Sequence, residues 1–491
     1  MTKYPIFLIL LSLLSFNTNA LNLELPAITV DTNVHFKAEL KTVVSDNGVT
    51  PFWIRNLQYG SIPLNTPGGI AFLNYHKNYT KNKKYDWKYG IEMAGWAGVN
   101  SDFMINEAYL SGRRGNWELW LGRRKEVYGL GDSTLTSGFY SWSGNARPMP
   151  KIQLGTKDYL NFFWKWAGIH MTYSHGYFDN SGPISGAMLH QKSLYGRLGK
   201  PNSHVSIFGG LNHQVSWGGE ANVKNGGPFD FYPSSINTYY YVVTVSKNRT
   251  LVPIDDLSSE DDTNNQYGNH LGSIDFALKF QTKNIEMLVY KQTAFETGRV
   301  FSLTTSDDGL TGISIKRKKR GFIEKLVIEN LYTQNLGLYI APLAKLVGFK
   351  DPHYPEIENY FNNGGRGGWV YQSKGIGTPL IVLDSESAAG GSSSSFSLNA
   401  VRGYYLGLSG SFTPDFTWNF KVSKSHHGYL VGSLRDPANR YVVDKPQFAS
   451  AFSMQKLINK KVELKAQIGY DQGEVINNTI GLLLGVRYTL F

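Results

Sequence analysis

Along most of the chain, apolar and polar positions alternate in segments of about ten residues. Val34, Phe36, Ala38, Leu40 and Thr42 alternate with His35, Lys37, Glu39 and Lys41. Phe416, Trp418, Phe420 and Val422 alternate with Thr417, Asn419, Lys421 and Ser423, and Val462 to Asp471 repeats the pattern. A last segment sets Ile480, Leu482, Leu484, Val486, Tyr488 and Leu490 against Thr479, Gly481, Gly485, Arg487 and Thr489, with Leu483 on the second face. A two-residue period puts the two sets on opposite faces of a strand. Many of the polar faces carry both Lys and Glu along one strand, as expected for a wet lumen wall, which counts against a soluble sandwich. The chain finishes on an aromatic residue, Phe491, although the apolar face falls on Leu490. The pattern predicts an all-β protein, a transmembrane antiparallel outer-membrane β-barrel. Val34, Phe36, Leu464, Ile468, Leu482 and Val486 are expected to face lipid. Lys37, Glu39, Glu463, Lys465 and Arg487 are expected to face inward.

The spacing of the segments gives a topology. Short turns are expected at 80–84, 115–116, 156–158, 200–202, 281–284, 316–321, 413–415 and 459–461. Long connections fall at 45–68, 123–149, 174–187, 214–267, 294–311, 334–396 and 428–446, with shorter ones at 99–101 and 472–478. Outer-membrane barrels keep periplasmic turns short and extracellular loops long, and interleaving the two sets gives about 18 strands. Lys151 to Gly155 is the least marked strand, and the β-rich run Tyr239 to Val245 is left inside a loop.

Composition narrows the class. Only 18% of residues are charged, against roughly 25% in ordinary globular domains, while 14% are aromatic and 52 are Gly. A disordered chain has the opposite balance. Mean hydropathy is −0.28, and the only long apolar run is Ile6 to Phe16. Lys3, that run and Thr18-Asn19-Ala20 read as a signal peptide over residues 1–20, leaving 21–491 as a single barrel domain exported to the outer membrane. There is no Cys, which excludes thiol catalysis, disulfide scaffolds and cysteine-ligated zinc.

Catalytic signatures are missing: no HExxH, no Walker A loop and no GxSxG occurs. Gly131-Asp132-Ser133-Thr134 resembles the block of GDSL-type esterases, but no Asp-x-x-His follows to supply the base. The eleven His are scattered, so neither a metal nor a cofactor is expected, and the chain is not read as an enzyme. Lys316-Arg-Lys-Lys-Arg320 is a basic run on an expected periplasmic turn. It fits lipid phosphates there, and nucleic acid is not expected as a partner.

The long connections hold aromatic, amide and cationic residues together. The 123–149 connection contains Gly129-Leu, Trp142 and Ser143-Gly-Asn-Ala-Arg-Pro-Met-Pro-Lys-Ile152. With Pro51-Phe-Trp-Ile-Arg-Asn-Leu-Gln-Tyr-Gly60, Glu107-Ala-Tyr109, Gly122-Arg-Arg, Leu189-His-Gln-Lys192 and Trp217-Gly-Gly219, these blocks resemble the Wzi-type capsule assembly proteins of bacterial outer membranes. Gly268-Asn-His-Leu-Gly-Ser273, Asp308-Gly-Leu-Thr-Gly312, Gly368-Trp369 and Gly375-Ile-Gly-Thr-Pro379 continue the resemblance in order. Enteric members carry an N-terminal helical bundle for which residues 21–33 are too few, so the chain is more similar to the shorter, Bacteroidetes-like branch.

The resemblance implies a barrel of about 18 strands that binds capsular or exopolysaccharide, lectin-like, and helps assemble or anchor it at the cell surface. Its partners would be that surface polysaccharide, outer-membrane lipid and, during biogenesis, the barrel-assembly machinery. Sugar faces pack on indole and phenol rings, and Asn, Asp and Arg satisfy hydroxyls. Trp142, Trp217 and Trp369, in expected outward loops, are therefore candidate contacts, with Asp132, Asn145, Arg147 and Arg366 as hydrogen-bonding partners. The alternative is an outer-membrane diffusion channel, a carbohydrate porin. Loops that fold in and block the lumen favour binding; an open pore favours transport.

Overall fold

The computed structural model describes residues 33–490 except 181, 224–229, 249, 251, 254–259, 352–355 and 432–440. The expected signal peptide and the terminal Phe491 lie outside the described residues. The wall is one closed antiparallel sheet of 18 strands. These are β1 Val34–Ser45, β2 Gly68–Lys77, β3 Tyr85–Gly98, β4 Asp102–Arg114, β5 Trp117–Arg123 and β6 Pro150–Thr156. Next come β7 Ala167–Tyr177, β8 Met188–Leu198, β9 Val205–Trp217, β10 Gly268–Gln281, β11 Ile285–Phe295 and β12 Gly309–Arg317. β13 Lys325–Tyr332, β14 Ala400–Thr413, β15 Phe416–Val431, β16 Tyr441–Leu457, β17 Val462–Gly473 and β18 Thr479–Thr489 complete it. A short piece, Leu160–Phe162, prolongs β6 along β7. Each strand pairs with the next, and β18 closes on β1, with Leu40 opposite Val486. Closure removes the exposed edges that an open sheet would present to lipid.

The alternation is realised as the sequence predicts. Leu40, Ile468 and Val486 stand 61%, 47% and 41% exposed on the outer wall. On the inner wall Arg487 lies between its cross-strand partners Glu463 and Glu39, at 3.0 and 3.3 Å. Thus the two sets of residues fall on opposite sides of the wall. Lys151 to Gly155 is a strand, part of β6.

Tyr239 to Val245 is not extended. Tyr239 to Thr244 belong to a helix, α2 (Ile236–Thr244), which Val245 caps in the left-handed conformation; a one-turn α1 (Phe52–Arg55) precedes it in the chain. Ser235 starts α2 by accepting from the Thr238 N–H at 3.2 Å. The β-rich composition serves a different purpose here: Tyr241 and Val242 pack on Val215 and Trp217 of β9. These two wall residues have the outward parity of Val205 and Ile207, so α2 covers a patch that would otherwise meet the outer surface.

An 18-stranded barrel is wide enough for an aqueous channel. Here the main apolar core lies inside the barrel, where Phe52, Trp53, Tyr140, Tyr360, Phe361 and Trp369 cluster from three long loops. β5 and β6 have seven residues each, against 13 in β4 and 11 in β7. The loop 124–149 therefore leaves the wall low and turns inward.

Candidate functional site

Loop 124–149 crosses the lumen to the far wall. Leu130 N–H donates to Asp275 of β10 at 2.9 Å, Tyr140 N–H to Gln292 of β11 at 2.8 Å, and Ser137 N–H to Glu329 of β13 at 2.6 Å. Tyr405 of β14 donates to the Leu135 carbonyl at 2.7 Å. A second loop, 333–399, is stapled to the first. Ser143 donates to the Gly377 carbonyl at 2.6 Å, and Thr378 N–H to the Tyr140 carbonyl at 3.0 Å. Gly377 has to be glycine, because a Cβ there would stand 2.1 Å from the Phe361 ring. α1 brings in the third loop: Phe52 N–H donates to Asp471 of β17 at 2.7 Å, and the Trp53 indole to Ser423 of β15 at 3.1 Å. The three loops form a plug with its own core, hydrogen-bonded around the inner wall.

The candidate residues fall at several places on this plug. Trp369 and Arg366 line a narrow outer cleft of about 40 Å³, with Phe178, Asp179, Asn269 and Ser394. The Trp369 indole donates to the Asn269 side-chain oxygen at 3.1 Å. Arg366 pairs with Asp262 at 2.8 Å, donates to the Gly218 carbonyl and lies 4.0 Å from the centre of the Tyr232 ring. Among the described residues its Nη2 has no hydrogen-bond partner, although the side chain is almost fully buried. A buried guanidinium donor without an acceptor is costly, and a ligand oxygen would satisfy it.

Trp142 and Arg147 meet elsewhere, around a small void shared with Tyr59 and Glu126. Trp142 packs edge-on to Tyr128 at 6.2 Å, and Arg147 bonds Asp102 and Gln372 at 3.0 and 2.9 Å. Asn145 is a clamp between loops: it donates to the Gly375 carbonyl at 3.1 Å and accepts from Leu57 N–H at 3.3 Å. Asp132 anchors the first loop to the wall, pairing with Lys325 at 2.8 Å and accepting from Ser314 at 2.9 Å. Trp217 is not in a loop. It ends β9, which takes in the first four residues of the expected loop, and packs 5.4 Å from Tyr239 of α2.

Below the plug lies a larger space of about 450 Å³ that the sequence did not single out. An ion ladder runs up its side: Lys88–Glu118 at 3.3 Å, Glu118–Arg124 at 2.8 Å, Arg124–Glu126 at 3.0 Å and Glu126–Lys151 at 2.8 Å. Burial works to raise the Glu126 carboxyl, but Lys151 and Arg124 outweigh it and hold it below the usual carboxylate range. Arg124 and Lys151 lie in sequence blocks already singled out, Gly122-Arg-Arg and Ser143 to Ile152, but nothing in those blocks pairs them with Glu118 or Glu126. The ladder itself joins residues from four separate stretches. Among the described residues no group of three or more His, Asp or Glu could hold a metal ion.

Wall and plug together define an outer-membrane β-barrel whose lumen is closed by its own extracellular loops. The family profile of the capsule assembly protein Wzi matches residues 68–341, more than half of the chain, and the chain belongs to that family. Among solved structures it is similar to Wzi of Escherichia coli, an outer-membrane protein involved in group 1 capsule assembly and a carbohydrate-binding β-barrel. That likeness has 14% identity over 93% of this chain and 84% of that one, with a TM-score of 0.56. Pseudomonas aeruginosa OccK5 (OpdH) matches over 93% and 97% of the two chains at 9% identity, with a TM-score of 0.46. No curated protein sequence matches the chain.

Proposed function

We propose that the barrel binds capsular or exopolysaccharide at its outer face and helps assemble or anchor it at the cell surface, without catalysing a reaction. One observation carries this beyond family membership. The loops that would constrict a porin instead fill the lumen and bond to each other and to β9–β17. A chain bound at such a face is held, not passed through. The outer cleft offers suitable chemistry: the Trp369 ring, the Arg366 guanidinium, and Asn269 and Ser394 beside them. A formal charge of +11 on the full sequence would favour anionic polymers. Outer-membrane lipid would surround the apolar wall, and the barrel-assembly machinery would insert it. The test is purified protein in detergent, titrated with the host's own surface polysaccharides and separately inserted into planar bilayers. The expected result is saturable binding with no steady conductance. Steady conductance without binding would put the porin reading first.

A further inference from the structure

The space beneath the plug is walled by β3 and β5–β8 and roofed by residues 126–130. Its lining reaches the short-turn end of the barrel: Lys157 and Tyr159 lie between β6 and β7, and Glu118 follows the turn at 115–116. Short turns face the periplasm in such barrels, so this space is approached from the periplasmic side and the plug separates it from the outer cleft. We propose that it is a second binding site, for an uncharged saccharide segment presented from the periplasm.

The lining has the required chemistry. Trp120, Tyr128, Tyr159 and Tyr195 supply aromatic surface, Glu118 and Glu126 accept from hydroxyls, and the ammonium groups of Lys88 and Lys157 donate. Trp120 is 1% exposed, and among the described residues its indole N–H has no hydrogen-bond partner, so this wall carries a polar donor that is not yet satisfied. Charge selects the ligand class. Lys88, Arg124 and Lys151 are already held in ion pairs by Glu118 and Glu126. A polyanion would meet two carboxylates, and an apolar ligand would strand the ion ladder away from water. A hydroxylated neutral ligand does neither. The volume also falls within the roughly 300–1,000 Å³ of small-molecule sites. This site is distinct from the outer face, and either can fail with the other intact.

The experiment is a titration of the full chain in detergent with maltotriose, cellotriose and tri-N-acetylchitotriose, followed by saturation-transfer NMR. Tyr159→Ala removes a platform near the mouth and should weaken binding about tenfold. Lys157 is exposed and the chain has no Cys, so Lys157→Cys offers one specific attachment point for a bulky maleimide. The label should abolish binding there, while the same label on Ala389→Cys, in an exposed stretch of loop 333–399, should leave it unchanged. Absence of binding for all three sugars at millimolar concentration overturns the proposal. So does binding that persists in both Tyr159→Ala and the labelled Lys157→Cys protein.

Discussion

Arg55 and Glu386, 331 positions apart, form an ion pair at 3.3 Å inside the barrel, with both side chains nearly buried. The pair ties the loop bearing α1 to loop 333–399, and Lys374 donates to the same carboxylate. Removing one partner of a buried pair leaves an uncompensated charge and costs about 3–5 kcal/mol. Glu386→Ala should therefore loosen the plug and leave the wall intact. Amide hydrogen exchange should speed up around residues 374–386 and stay slow in β1 and β14–β18. Unchanged exchange in the loop would remove this pair from the plug's supports.

The same carboxylate gives the plug a pH dependence. Burial pushes Glu386 up, but Lys374 and Arg55 outweigh it and hold it below its ordinary 4.5. A depressed carboxyl contributes stability that is fully present above the unfolded value and is lost as the pH falls through the folded one. Loop protection factors, corrected for the slower intrinsic exchange in acid, should accordingly fall as the pH drops below about 4.5, and Glu386→Gln should flatten that fall. An equal fall in the variant would assign it to other groups.

Leu484 lies on the lipid-facing parity of β18, whereas its neighbour Leu483 is buried in the interior core. Placing Arg at 484 should destabilise the barrel by about 2–4 kcal/mol. Urea unfolding from lipid vesicles measures this, and an unchanged midpoint would contradict the position given to Leu484.

In the outer cleft, Trp369→Phe keeps a ring and loses the bond to Asn269, while Trp369→Ala loses both. Each should weaken polysaccharide binding without abolishing it, the second more strongly and by at most a few kcal/mol. Arg147→Gln should make binding of an anionic polymer less sensitive to salt, since it removes an attraction that ions screen. Titration of the purified variants at two ionic strengths checks both. Identical salt slopes would place Arg147 outside the polymer's field.

The wall was legible because lipid and lumen impose opposite chemistry on alternate residues of one strand. Glu39, Glu463 and Arg487 could be assigned inward from three distant stretches, and they meet there. What a two-residue period cannot encode is a loop that returns to cover the wall. Tyr239 to Val245 reads as a strand by composition but forms a helix and its cap, because its apolar side chains pack on Val215 and Trp217 instead of joining a ladder. The plug was hidden for a related reason. Asp132 looks like a free polar loop residue until Lys325, 193 positions later, lies beside it. Asn145 carries a similarly ordinary signal, although its hydrogen bonds join three loops. Such contacts depend on closure of the whole barrel, which no local pattern records.

The most direct measurement is the partition of surface polysaccharide between cells and medium in a strain lacking this chain, with the wild-type gene restored as control. A barrel that holds polysaccharide at the cell surface should, when absent, shift polymer from the cell-associated to the released fraction while total synthesis stays the same. An unchanged partition, with polymer still held on the cells, would contradict that role.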